Sequence, residues 1–150
     1  MNQLMRESPI HGEKWISIHD MHISQIVCRE NSVVFCFNEG FDLIEEGKLL
    51  RTGSASIELI GCNPQDISCK IIKRKPSNKG EKICGKPISL EKINKMLTKK
   101  KQCIEIFLEL YNTNCMYWRG ELLPYTRKDR FMPYVTIETM DFYPMVYRWE

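Results

Sequence analysis

The sequence predicts an α+β protein, mostly antiparallel β, forming a sandwich, roll or partly open barrel with one packed helix at about residues 89–101. Three observations predict it. Apolar and polar residues alternate from Cys103 to Leu110, the period of a half-buried strand. Most other apolar runs are short, rich in β-branched and aromatic residues, and closed by Asn, Asp, Gly or Pro. The links between them are too short for parallel crossovers, so hairpins dominate.

The elements follow in order. Residues 14–29 read as strand, with Ile16, Ile18, Ile23, Ile26 and Val27 as apolar content and His19-Asp20 as a bend. Arg29–Ser32 is a turn, and Ser32–Phe37 (SVVFCF) is a strand. Asn38-Glu39-Gly40 turns the chain before Phe41–Ile44, and Glu45–Lys48 turns it again. Strand character returns around Thr52 and over Ser56–Ile60. Asn63-Pro64-Gln65-Asp66 is a turn, because proline presets the backbone and Asn or Asp caps it. Ile67–Ile72 is then expected to pair back on Ser56–Ile60 as a hairpin.

Lys73–Lys86 reads as a loop by composition. Ser89 is a suitable N-cap, Glu91 lies in the first turn, and lysines fill the last. Leu90, Ile93, Met96 and Leu97 form one apolar stripe, so this helix lies on a sheet. In the strand that follows, Ile104, Ile106, Leu108 and Leu110 share one face, while Cys103, Glu105, Phe107 and Glu109 share the other. Asn112–Asn114 turns the chain and Cys115–Leu122 returns antiparallel. Residues 124–130 read as a polar connection. Tyr134–Met140 and Phe142–Trp149 read as a last hairpin turning near Met140-Asp141, with Pro133 and Pro144 marking edge or interrupted strands.

The chain has 150 residues, is 43% hydrophobic and is 27% charged, which makes one folded domain with its own core. That excludes a disordered tail, a collagen-like rod and a coiled coil. No window approaches 18 consecutive apolar residues and the first residues lack a secretory apolar stretch, so no membrane association is expected. The cysteines number seven, an odd count, with no C-x-x-C pair. Zinc-ribbon and thioredoxin-like chemistry therefore lack their first requirement, and reduced thiols in the cytoplasm are expected.

Charge is the most informative feature. Residues 70–101 carry twelve Lys or Arg and two acids, so this block is strongly cationic while the rest of the chain is net anionic. The net charge of +3 hides this segregation. It points to an electrostatic contact surface for an acidic protein partner, with Lys73, Arg74, Lys75, Lys79 and Lys82 steering it. Aromatic anchors come from the C-terminal part, where ten of the fifteen Phe, Trp and Tyr lie. Trp118, Tyr143 and Tyr147 are the candidates, since such side chains make rigid anchors. Weak, non-specific nucleic-acid binding is the alternative. In the basic block lysine outnumbers arginine eleven to one, and specific base readout favours arginine.

An enzyme is the third possibility. His19, Asp20 and His22 are the candidate metal-ligating or general-base residues. In an extended chain Asp20 and His22 point one way and His19 the other, so the motif by itself does not complete a site. There is no P-loop, G-x-G-x-x-G, G-x-S-x-G or H-E-x-x-H. No cofactor and no catalytic residue are expected.

Ile18-His19-Asp20-Met21-His22-Ile23, followed by Val33–Phe37 and Gly40-Phe41, resembles a pattern in small bacterial β-rich proteins. In these a strand ends in His-Asp, a second strand follows, and a Gly-aromatic pair closes the hairpin. Some are similar to immunity proteins encoded beside secreted toxins. The resemblance covers residues 15–44 and implies a bacterial cytoplasmic origin and a binding role.

Overall fold

Two antiparallel sheets pack their apolar faces together in the computed structural model. It describes residues 1–124 and 133–150, with the backbone alone at Lys75, Pro76 and Glu81. The expected connection over 124–130, with Tyr125, lies almost wholly outside the described residues, as does Phe131.

The first sheet has five strands. Its order is β1 (Asn2–Arg6), β14 (Met145–Trp149), β8 (Ala55–Ile60), β5 (Ser32–Phe37) and β4 (Gln25–Cys28). The second has six, in the order β10 (Gly80–Pro87), β9 (Ile67–Ser77), β13 (Tyr134–Thr139), β12 (Cys115–Leu123), β11 (Cys103–Asn112) and β3 (His22–Ile23). A small third sheet joins β2 (Lys14–Ser17), β6 (Asp42–Glu45) and β7 (Lys48–Arg51). The mostly antiparallel α+β expectation is met.

The core lies where the inward parity of each strand meets its opposite number. Phe35, Ile57 and Tyr147 from the first sheet face Ile106, Trp118 and Ile137 from the second, all buried. The Phe35 and Trp118 rings meet edge to face at 4.9 Å, the favoured geometry for an aromatic pair. Phe41 adds similar contacts to Tyr147 and Trp149 at 5.9 and 6.0 Å.

The helix α1 (Leu90–Lys99) forms as its caps and stripe require. Ser89 Oγ accepts the Lys92 N–H at 3.2 Å, and Leu90, Ile93 and Leu97 are buried. From this helix Asn94 Oδ1 accepts the Ile26 N–H at 2.8 Å. That bond satisfies a donor on the otherwise open edge of β4, which is how the helix closes this side of the sandwich.

Four expectations need correction. Lys73–Lys86 is not a loop: it forms the outer part of the hairpin β9–β10, turning over Asn78-Lys79 with Gly80 at φ 109°. The lysines on both strands had masked the alternation. Ser56–Ile60 and Ile67–Ile72 do not pair, because the short 3-10 turn Pro64–Asp66 carries the chain from one sheet to the other. The final hairpin is likewise absent: β13 joins the second sheet and β14 the first. Pro144 lies in the crossing segment, its carbonyl accepting the Ile60 N–H at 2.8 Å.

The fourth correction is a β-bulge. Ile106 stands opposite Gly120 and Leu108 opposite Arg119, leaving Phe107 as the extra residue. Beyond it the faces of β11 exchange, so Glu109 and Tyr111 take the inward parity and Leu110 becomes exposed. Gly120 permits the bend, since a Cβ there would sit 2.6 Å from Ile104 Cγ2 and 2.7 Å from the Glu105 carbonyl oxygen. The N-terminal strand β1 had no signal in the pattern read along the sequence; its pairing with β14 provides the order.

Candidate docking surface

The hairpin β9–β10 carries the cationic block out of the sandwich. Along β9, Ile67, Cys69 and Ile71 stand opposite Thr139, Ile137 and Val135, so this parity faces the core. The same parity continues to Lys73. On β10 the matching residues are Lys82, Cys84 and Lys86, with Lys73 directly opposite Cys84 and Ile71 opposite Lys86. From Lys73 onward, β10 is the one strand paired with β9 among the described residues. The core-facing side of the sheet thus runs on beyond the core and turns from apolar to cationic.

The helix closes this side into a groove. Ile71, Lys73, Cys84, Lys86, Pro87, Ile88 and Lys92 line a cavity of about 330 Å³. Its walls combine an apolar floor of Ile71, Pro87 and Ile88 with three ammonium groups. A second hollow continues it along Ile67, Ser68 and Cys69 to Ser89, sharing Pro87, Ile88 and Lys92. Among the described residues, Lys73, Lys82, Lys86 and Lys92 make no salt bridge; within the block Lys95 pairs with Glu91 at 3.2 Å. Unpaired ammonium groups close together raise the local positive potential, which favours an anionic occupant.

The residues predicted from sequence separate clearly. Lys73 and Lys82 lie on the groove parity, and Lys79 lies in the exposed turn. Arg74 has the opposite parity on β9. The backbone of Lys75 stands opposite Lys82, while its side chain lies outside the described residues. Lys86 and Lys92 were missed; counting by two along a hairpin centred on Asn78-Lys79 would have found Lys86.

Two of the three aromatic anchors are corrected. Trp118 and Tyr147 are fully buried core residues and offer no surface to a partner. The Trp118 indole donates to Tyr111 Oη at 3.0 Å, and Tyr147 Oη donates to Met145 Sδ at 3.3 Å. Tyr143 is half-buried, and its hydroxyl donates to Asp66 at 3.4 Å.

The structure places His22 apart from the His19 and Asp20 pair. His19 Nδ1 lies 3.1 Å from Asp20, at a bend where Asp20 adopts φ 63°. His22 turns elsewhere, with Nδ1 3.0 Å from Glu39 and Nε2 3.7 Å from Glu105. Each ring nitrogen faces a different carboxylate, so one ion cannot engage both through the ring. Among the described residues no group of three His, Cys, Asp or Glu is arranged to hold a metal. Nearby Cys103 is a poor nucleophile, because burial and the charges of Glu105 and Glu39 push its thiol up. Burial pushes Cys62 and Cys69 to about 12. All seven cysteines are unpaired.

Two buried carboxylates went unrecognised in the sequence. Glu109 accepts the Ile18 N–H at 2.7 Å and the Tyr111 hydroxyl at 3.3 Å, with burial raising its pKa above the ordinary value. Arg6 stacks on the Tyr111 ring at 4.1 Å. Glu58 accepts from Arg29 at 3.0 Å, Ser32 at 2.8 Å and Arg148 at 2.7 Å. Burial pushes Glu58 up, but those bonds and the two guanidinium charges more than offset it, and its pKa is lowered. Both clusters tie elements together, and their acceptors are occupied by internal donors.

No protein-family model, no curated protein and no solved structure matches the chain. Among the described residues no helix is long and apolar enough to cross a membrane.

Proposed function

We propose that the protein is a non-enzymatic cytoplasmic binding protein that docks an acidic protein partner on the face shared by the β9–β10 hairpin and α1. One observation carries this: Lys73, Lys86 and Lys92 surround an apolar floor, and among the described residues no carboxylate makes a salt bridge with them. An ammonium group that is not paired at home keeps its field for an incoming anion, raising association rate and selecting charge. Ile71, Pro87 and Ile88 supply apolar area that charge alone lacks. Lysine presents a point charge suited to carboxylates and lacks the planar fork used for base edges. The seven unpaired cysteines support a reducing compartment. An immunity-like role, covering an acidic surface of a toxin, is one setting that fits such a face.

The test uses a fluorescent polyglutamate peptide and a single-stranded oligonucleotide of matched charge. The wild type is compared with K73E/K86E/K92E and with Lys48→Glu, an exposed position on the small third sheet. Peptide affinity is expected to fall at least tenfold in the triple variant and to stay unchanged in the control. Equal loss in both, or none in either, overturns the site. Tighter binding of the oligonucleotide than of the peptide overturns the acidic-protein reading in favour of nucleic acid.

A further inference from the structure

Building on that docking face, we infer that the partner's acidic segment binds in extended form, as a seventh strand added to the free edge of β10. Strand β10 ends the order of the six-stranded sheet, and nothing among the described residues pairs with its outer side. The Ile88 N–H donates to the Cys69 carbonyl at 2.9 Å, which fixes the parity of the ladder. Even-numbered residues of β10 therefore bond to β9, and residues 81, 83 and 85 direct their N–H and C=O groups outward. Three successive outward positions form a template for another chain.

Edges are normally blunted by bulges, prolines or charge. The β9–β10 ladder runs from residue 80 to 87 without a register shift, and proline enters β10 only at its final position, Pro87. The charges do not blunt the edge against all comers. Lys82 and Lys86 share one face with Lys73 behind them, so they repel a second copy of this lysine-bearing edge and attract an acidic one. On the other face Ile83 is 65% exposed, directly opposite Arg74, with the side-chain-free Gly85 next along the strand on that face and opposite Ile72.

This two-faced edge specifies a pattern in its occupant. Side chains on an added strand alternate between the faces, and directly opposed residues have Cβ atoms about 5 Å apart. Acidic residues at every second position would lie against Lys82 and Lys86, with apolar residues between them covering Ile83. The occupant is therefore an alternating acidic–apolar segment, distinct from a simple acidic run.

Two eight-residue peptides of identical composition separate these cases: Glu-Val-Glu-Val-Glu-Val-Glu-Val, and an isomer with four Glu followed by four Val. Titration into the intact protein at low salt is expected to show the alternating isomer binding at least tenfold more tightly. N-methylation of alternate amides on the edge that meets β10 is expected to remove that advantage, as is K82E/K86E. Equal affinity for the two isomers, or indifference to N-methylation, overturns strand addition and leaves lysine docking standing. Failure of both peptides to bind overturns strand addition and the docking face together.

Discussion

Tyr111 Oη receives the indole N–H of Trp118 at 3.0 Å and lies 3.3 Å from the Glu109 carboxylate, to which it donates. This chain of bonds reaches from the centre of the core to the Ile18 amide, tying β11 to the segment between β2 and β3. It exists because the bulge at Phe107 turns Glu109 inward.

Glu109 is expected to lower stability at neutral pH. Its pKa is raised in the fold by burial, against the lowering effect of its bonds. The stability linked to it is thus present below the ordinary carboxylate value of 4.5 and lost as pH rises through the folded value. Glu109→Gln removes the charge and keeps an acceptor for the Ile18 amide. Urea unfolding should show this variant at least as stable as wild type at pH 7, with the difference vanishing near pH 4. Glu109→Ala, which orphans the Ile18 N–H, should cost about 1–3 kcal/mol.

Glu58 has the opposite sign. Its lowered pKa contributes stability that is present above 4.5 and lost as pH falls through the folded value. Glu58→Gln should therefore cost about 1–3 kcal/mol at pH 7, by weakening the bonds from Arg148 and Arg29. The same urea series repeated at decreasing pH should show that cost shrinking. A cost independent of pH would assign it to packing.

Gly120→Ala should destabilise by about 1–3 kcal/mol, since the new methyl meets the Glu105 backbone and that strand is held from both sides. Thermal melting checks the size. The NMR shifts of Phe107 and Glu109 should move with it, because the bulge must adjust.

Asn94→Ala removes the acceptor of the Ile26 amide. The expected loss is about 1 kcal/mol, with faster hydrogen exchange at Ile26 than at its neighbour Val27. Exchange unchanged at Ile26 would mean that solvent or another group replaces the side chain.

Several strands and the helix were legible because each obeys a local rule. Ser32–Phe37 is β-branched and aromatic throughout, and Ser89 with Leu90, Ile93 and Leu97 writes its own cap and stripe. Sheet membership was not legible. Whether Ile67–Ile72 returns to Ser56–Ile60 or crosses to Tyr134–Thr139 depends on partners far away in sequence, and turn chemistry at Asn63-Pro64 permits either. The bulge was hidden because one inserted residue leaves the alternation intact on both sides while shifting its phase. Half of the proposed docking face was legible as charge. Its other half, the pairing of Lys73 with Cys84 and the approach of Lys92, is a product of register and helix placement.

Among the described residues, the outer arm of the β9–β10 hairpin beyond half-buried Ile71 holds no buried side chain. Substitutions at exposed positions away from caps and packed contacts typically change stability by less than about 0.5 kcal/mol. Selection can therefore rewrite Lys79, Lys82 or Ile83 to follow a drifting target while the sandwich stays intact. On the proposed face, the turn and outer strand positions are thus inherited apart from the packed core, and a change in them need not threaten whether the protein exists.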